Sequence, residues 1–212
     1  MPDGFSDEER ERVREALLEA GREQFARYGR EKTTIAELTD AAGIADGTFY
    51  RFYDSKLALY ADVLDREGER LAPELLAPLE VHDDPEPAIA AFLRTVMDEI
   101  ETNPLIERLL VDTDEMQRLR EFHGVEGVAA EREQSLGYLL PYVEAWYEAG
   151  RVRGPDPETV ANAVRAVTFL TLHRADLGEE LYHDTRNLVI DAVARGLVRD
   201  ATESDGPTGR EE

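Results

Sequence analysis

The chain contains no cysteine, which excludes disulfides, thiolate nucleophiles and cysteine-ligated metal centres. Lysine is nearly absent too: of 24 basic residues only Lys32 and Lys56 are lysine, against 47 aspartates and glutamates and a formal net charge of -23. There is no apolar run of about 18 residues to span a bilayer and no basic-then-apolar leader, so a soluble cytoplasmic protein is expected. Strand signals are sparse, with no Asn-Gly or Asp-Gly set between alternating segments. Four histidines, His82, His123, His173 and His183, lack a metal-ligand spacing such as H-E-x-x-H, and no P-loop or G-x-G-x-x-G occurs. Carboxylates are too common here to discriminate, and no convergent catalytic set stands out, so the sequence does not read as an enzyme.

What is present is an ordinary hydrophobic fraction, 42% of 212 residues, enough for one sizeable core or a small module joined to a larger one. The acids are interspersed along helical patterns rather than gathered in a block, as expected of solvated helix faces. This acid-rich, lysine-poor composition resembles that of proteins from salt-loving archaea, whose surface carboxylates favour hydration and solubility in concentrated salt. An acidic protein from an ordinary organism is the alternative.

Helical punctuation runs along the whole chain. Ser6-Asp7-Glu8-Glu9 is a capping box, followed by Val13, Ala16, Leu17, Ala20 and Phe25 at helical spacing until Gly29. A second box, Thr34-Ile35-Ala36-Glu37, opens a short helix with Ile35, Leu38 and Ala42 inward and Gly43 as its stop. A third short helix is predicted from Ala45 to Tyr53, and Asp54-Ser55 cap a longer one from Lys56 to about Leu71. Pro73, Pro78, Pro85 and Pro87 argue against continuous helix between residues 72 and 87. Ile89, Phe92, Leu93, Val96 and Ile100 mark the next helix, and Pro104 is placed to begin another. A long helix follows over 125–149, kinked at Pro141, and helices over 157–177 and 184–199 close the chain. The expected fold is all-α with about nine helices: a helix-turn-helix module over 1–55, a helical domain over 56–200, and a polar, frayed tail over 201–212.

Two short helices joined by a tight glycine turn can place the second in the major groove of DNA. That second helix carries Thr48, Tyr50 and Arg51, whose side chains can meet phosphates or base edges. The run Thr33–Tyr60, T-T-I-A-E-L-T-D-A-A-G-I-A-D-G-T-F-Y-R-F-Y-D-S-K-L-A-L-Y, preceded by Phe25-Ala26-Arg27-Tyr28-Gly29, resembles the N-terminal signature of the TetR family of transcriptional regulators. The resemblance implies a homodimeric, ligand-responsive repressor that binds a palindromic operator on double-stranded DNA. It assigns Thr34 and the start of its helix to a phosphate, Gly47 and Thr48 to the start of the recognition helix, and Tyr50 and Lys56 to the DNA backbone. Arg51 falls at a variable DNA-facing position, suited to guanine or to phosphate. Tyr53 stands where phenylalanine is common and reads as a core residue. Ala45 stands where a capping serine is frequent, and Asp46 where a lysine is often found. Asp46 can cap the helix, accept from a cytosine amino group, or repel phosphate.

Beyond the module, the apolar arcs of 160–177 and 188–198 are wider than one core-facing stripe needs. Pairing 157–177 and 184–199 with their copies in a second subunit would bury the surplus; a neighbouring helix of the same chain is the alternative. A small-molecule effector pocket is expected among Phe92, Val96, Arg132, Leu136, Leu139, Trp146, Phe169 and His173. Arg132 interrupts the stripe of Val125, Val128, Leu136, Leu139, Val143 and Trp146, where it can bind an anionic effector or pair with an acid of its own chain. His173 reads as either a satisfied core or interface residue or a ligand contact. The acidity concentrates away from the reading module: Arg27, Arg30, Lys32, Arg51 and Lys56 balance Glu31, Glu37, Asp40, Asp46 and Asp54. The competing reading is a helical protein-binding or ligand-binding module with weakened DNA recognition, supported by Asp46 and the net charge.

Overall fold

The computed structural model describes residues 6–111 and 113–199, leaving aside the side chains of residues 111, 113 and 125–135. Among these residues it is all-helical: α1 Asp7–Tyr28, α2 Ile35–Ala42, α3 Asp46–Phe49, α4 Lys56–Val81, α5 Pro85–Thr102, α6 Pro104–Val111, α7 Thr113–Glu148, α8 Pro157–Val167, α9 Arg174–Leu177 and α10 Glu179–Leu197, with a 3-10 segment Thr168–His173 after α8. The sole extended pairing among them is an isolated antiparallel bridge between Val152 and Val198. The tail expected over 201–212 lies outside the described residues. No helix among them is long and apolar enough to cross a membrane.

The chain forms two compact units. One gathers the residues up to Leu71 together with Glu101–Val128; the other comprises Ala72–Ile100 and the residues from Ala129 onward. The core of the first unites Leu17 and Phe25 of α1, Leu38 of α2, Phe49 of α3, Leu59, Tyr60 and Val63 of α4, Leu105 of α6 and Leu119 of α7. Burying each such side chain favours the folded state by about 1.5–3 kcal/mol, which offsets the low intrinsic stability of the short α2 and α3. The core of the second unit is built from Ala88, Ile89, Leu93 and Met97 of α5, Leu136, Leu139, Val143 and Trp146 of α7, Val160 and Val164 of α8, and Ile190 and Ala194 of α10.

Several boundaries differ from the sequence expectation. The helix expected to stop near Leu71 continues to Val81 with Pro73 and Pro78 inside it. Each proline forfeits its own N–H donor and crowds the preceding turn, while Leu79 is buried and Leu76 packs against the same core, so the helical path is held by burial. In α7, Gly124 adopts φ 69°, ψ -177° and divides the helix, so that its second part begins at Val125 as expected. The part before it, which the apolar pattern did not mark, is helical and buries Leu119.

The single helix expected over 157–177 is instead α8, a 3-10 segment and α9, ended by Gly178 at φ 80°. Two hydroxyls bond back within the tightened segment: Thr168 donates to the Arg165 carbonyl at 2.8 Å and Thr171 to the Thr168 carbonyl at 2.6 Å. Likewise α3 is a single α-turn rather than a helix to Tyr53. Beyond it the backbone closes i+3 bonds, Arg51 N–H to the Thr48 carbonyl at 3.0 Å and Phe52 N–H to the Phe49 carbonyl at 2.9 Å.

Candidate nucleic-acid interface

The scaffold begins at α2. Thr34 caps it: its hydroxyl oxygen accepts from the Glu37 N–H at 3.2 Å, and the Glu37 carboxylate accepts from the Thr34 N–H at 2.7 Å. These Thr34 bonds, backbone first, hold the Glu37 carboxyl below its ordinary range. At the other end Gly43 turns the chain at φ 69°, ψ 32°, left-handed geometry that costs a glycine little, and Ile44 N–H closes the turn on the Thr39 carbonyl at 2.9 Å.

The turn delivers α3. Ala45 occupies its N-cap without any side-chain bond, so the missing serine is not replaced there. Asp46 does not cap either. Its Oδ1 accepts from the hydroxyl of Thr39, a fully buried residue of α2, at 2.6 Å. The two short helices are thereby tied through side chains as well as through the turn. Phe49 is buried and meets the rings of Tyr50 and Tyr53 at 5.4 and 6.0 Å. Around this anchor, Gly47 and Arg51 are exposed, Thr48 is half-buried and Tyr50 is 61% exposed. A Cβ added at Gly47 would meet nothing within 4 Å, so close approach of another molecule is unobstructed there.

Tyr53 belongs to the core, as expected, with its hydroxyl donating to Asp62 at 2.7 Å. Burial, reinforced by the Asp62 carboxylate, pushes its phenol up. Lys56 is placed differently from a free phosphate-binding lysine. Its ammonium donates to the carbonyls of Thr33 and Glu31 (3.2 Å for the latter), fastening the loop before α2 to the start of α4. Burial and then the nearby Arg30 guanidinium lower its pKa. One of the three ammonium protons remains for an external acceptor.

Other residues supporting this face carry no sequence signal, because their partners are remote in the chain. Arg108 of α6 donates to the carbonyls of Ala26 and Arg27 at the end of α1, both at 2.9 Å. Arg30 pairs with the buried Glu115 of α7. Glu67 of α4, 2% exposed, accepts from Arg22, Arg70 and Asn103 at 2.9, 2.8 and 2.7 Å.

The expected effector residues fall in different settings. In the second unit Leu136, Leu139 and Trp146 are buried, Phe92 packs against their core and Val96 is half-buried. Phe169 and His173 are instead exposed within the single chain. Phe169 lies under the Arg165 guanidinium, and His173 Nδ1 sits 3.0 Å from the Asp176 carboxylate. Within the single chain His173 is therefore not a core residue, which leaves the interface and ligand-contact readings. Arg132, Val125 and Val128 fall among the residues whose side chains are not described.

A helix-turn-helix whose second helix and the turn that follows it expose Gly47, Tyr50 and Arg51 has the build of a DNA-binding module. Residues 17–63 match the family model of bacterial regulatory proteins of the tetR family. A curated relative, an uncharacterized HTH-type transcriptional regulator, YhgD, of Bacillus subtilis, is 26% identical over 150 residues, 68% of this chain and 74% of its own. Other curated relatives are matched over about half their length. A TetR-family transcriptional regulator of Pectobacterium atrosepticum shares the fold, with a TM-score of 0.75 at 18% identity, over 92% of this chain and 99% of that one. SmeT in complex with triclosan is similar too, with a TM-score of 0.63 at 21% identity over 94% and 98% of the two chains. Residues 17–63 are thus similar to the DNA-binding part of tetR-family regulators, and the fold of the described residues is that of solved regulators of that family.

Proposed function

We propose that the protein is a ligand-responsive homodimeric repressor that reads a palindromic operator through Asp46–Tyr53. The observation that carries this reading is the exposed trio Gly47, Tyr50 and Arg51 on a turn anchored by buried Phe49. An open backbone, a hydroxyl and a guanidinium on one anchored surface suit the phosphates and base edges of a major groove. Thr34, Thr48 and Lys56 supply backbone contacts beside them. For Lys56 the contact uses the proton left after its two carbonyl bonds.

Dimerisation is assigned to α8 with the 3-10 segment after it, and to α10. Phe169 and Leu172 of that segment and Leu181 and Leu188 of α10 are exposed, with Leu181 at 65% and Leu188 at 69%, and Ala163, Ala166, Ala192 and Gly196 lie exposed along α8 and α10. Large apolar and small residues on two helices suit an isologous four-helix contact, since monomeric proteins rarely leave such patches open. The SmeT neighbour is named with a bound small molecule, and by analogy an effector binds in the helical domain of this chain, changing the spacing of the two reading heads. The composition suits a salt-adapted cell such as a halophilic archaeon, in which screening over about 3 Å at 1 M salt removes long-range repulsion between the acidic protein and DNA.

The test is binding of the full chain to genomic fragments in concentrated KCl, followed by fluorescence anisotropy on the fragment retained. Arg51→Ala and Tyr50→Phe each weaken binding to that fragment severalfold or more. Unchanged affinity in both variants would remove the reading face from α3 and the turn after it.

A further inference from the structure

We propose that Asp46 reads a cytosine, once in each operator half-site. The inference rests on α3 being the reading helix and adds a base identity to it.

Asp46 is the first residue of α3, exposed and next to the open Gly47. N-terminal residues of a reading helix are those that meet base edges. Its carboxylate is not free to swing: Oδ1 is held by the Thr39 hydroxyl at 2.6 Å, the short distance of a charge-assisted bond. Thr39 is itself fully buried, with its hydroxyl 2.9 and 3.1 Å from the carbonyls of Ile35 and Ala36 in its own helix. The carboxylate is thus aimed before DNA arrives, which lowers the ordering cost of any contact it makes.

An ionised carboxylate only accepts. In the major groove guanine presents two acceptors and thymine one, while adenine offers its amino donor beside the N7 acceptor. Cytosine presents the N4 amino donor with no acceptor of its own beside it. It is the base that a fixed carboxylate favours, and the phosphates are what it avoids.

The experiment is selection of duplexes from a random pool by the full-length protein in KCl, run in parallel with Asp46→Asn and Thr39→Val, each first checked for wild-type helicity by circular dichroism. Asparagine keeps an acceptor for Thr39 and turns an amide donor to the base in place of the second carboxylate oxygen, the pattern that suits the two acceptors of guanine. The wild type is expected to enrich a motif with one cytosine per half-site whose replacement weakens binding by about tenfold or more. In Asp46→Asn that one position shifts toward guanine while the others stay. Thr39→Val keeps cytosine with a preference reduced severalfold.

A motif unchanged at every position in Asp46→Asn overturns the proposal. So does tighter binding of that variant to all sequences alike, which would mark Asp46 as a repulsive charge at the backbone. A wild type that enriches no motif defeats the DNA-reading function itself, a result distinct from either.

Discussion

Arg30, just after α1, and Glu115, in the first turns of α7, form a two-pronged ion pair, with Nη2 2.8 Å from Oε2 and Nε on the other carboxylate oxygen. Both side chains are nearly buried, at 12% and 6% exposure. The Glu115 hydrogen bond raises the Arg30 pKa against the opposing effect of burial. Glu115→Ala leaves a guanidinium unpaired in that setting, where loss of one partner costs about 3–5 kcal/mol. Urea unfolding followed by helicity should show the midpoint lowered accordingly, with Glu115→Gln less affected because its amide oxygen still accepts one bond.

Glu67 gives the first unit a pH dependence. Burial pushes its carboxyl up, but hydrogen bonds from Arg70, Arg22 and Asn103 outweigh this and bring it from 4.5 to about 2. A carboxyl depressed in the folded state stabilises it fully above the unfolded value of about 4.5, and that contribution is lost as the pH falls toward 2. The difference corresponds to roughly 3 kcal/mol. Glu67→Gln should therefore be less stable than the wild type at pH 6, and the gap should narrow between about pH 4.5 and 2 in acid titrations of the unfolding midpoint.

The net charge of -23 sets the response to salt. Screening at about 10 Å in 0.1 M salt shortens to about 3 Å at 1 M, which relieves self-repulsion throughout the surface. Exposed ion pairs such as Arg94–Asp191 weaken over the same range but contribute only about 0–1 kcal/mol each. The melting temperature should rise between about 0.1 and 1 M KCl, measured calorimetrically, and a flat or falling trend would contradict the salt-adapted reading.

The dimer is tested at Leu188, 69% exposed on α10. Leu188→Glu places a charge at an apolar contact without disturbing the core of its own unit. Sedimentation should show the wild type as a dimer and the variant as a monomer, with operator affinity reduced at least tenfold through lost avidity.

Lys56 separates support from contact. Lys56→Met removes the two bonds to the carbonyls of Glu31 and Thr33, which should lower stability by about 1–3 kcal/mol and weaken DNA binding together. Loss of binding at unchanged stability would mean that Lys56 serves DNA rather than the loop.

Local signals were legible where one residue and its near neighbours settle the geometry. The boxes at Ser6 and Thr34, the stop at Gly43 and the Ser55 cap of α4 are satisfied within three or four residues, so their spacing suffices. Tyr53 could be assigned to the core because it stands where the resembled family commonly has phenylalanine. The continuation of α4 past Pro73 and the break after Val167 were not legible. In the first, burial at Leu79 opposes the local penalty of proline; in the second, the backbone tightens to a 3-10 path inside an apolar pattern that reads as one helix.

By itself the sequence determined that the chain is helical, that a short-helix pair carries Thr48, Tyr50 and Arg51, and that acidity lies mainly elsewhere, because composition and i,i+3 spacing are properties of the chain alone. Only the tertiary structure decided what Asp46, Lys56 and Arg30 do. Asp46 turns to Thr39, Lys56 to the loop before α2, and Arg30 to Glu115, 85 residues away. Side chains with several possible partners are assigned by which of them the fold brings within about 3 Å, and that distance is set by packing rather than by order in the sequence.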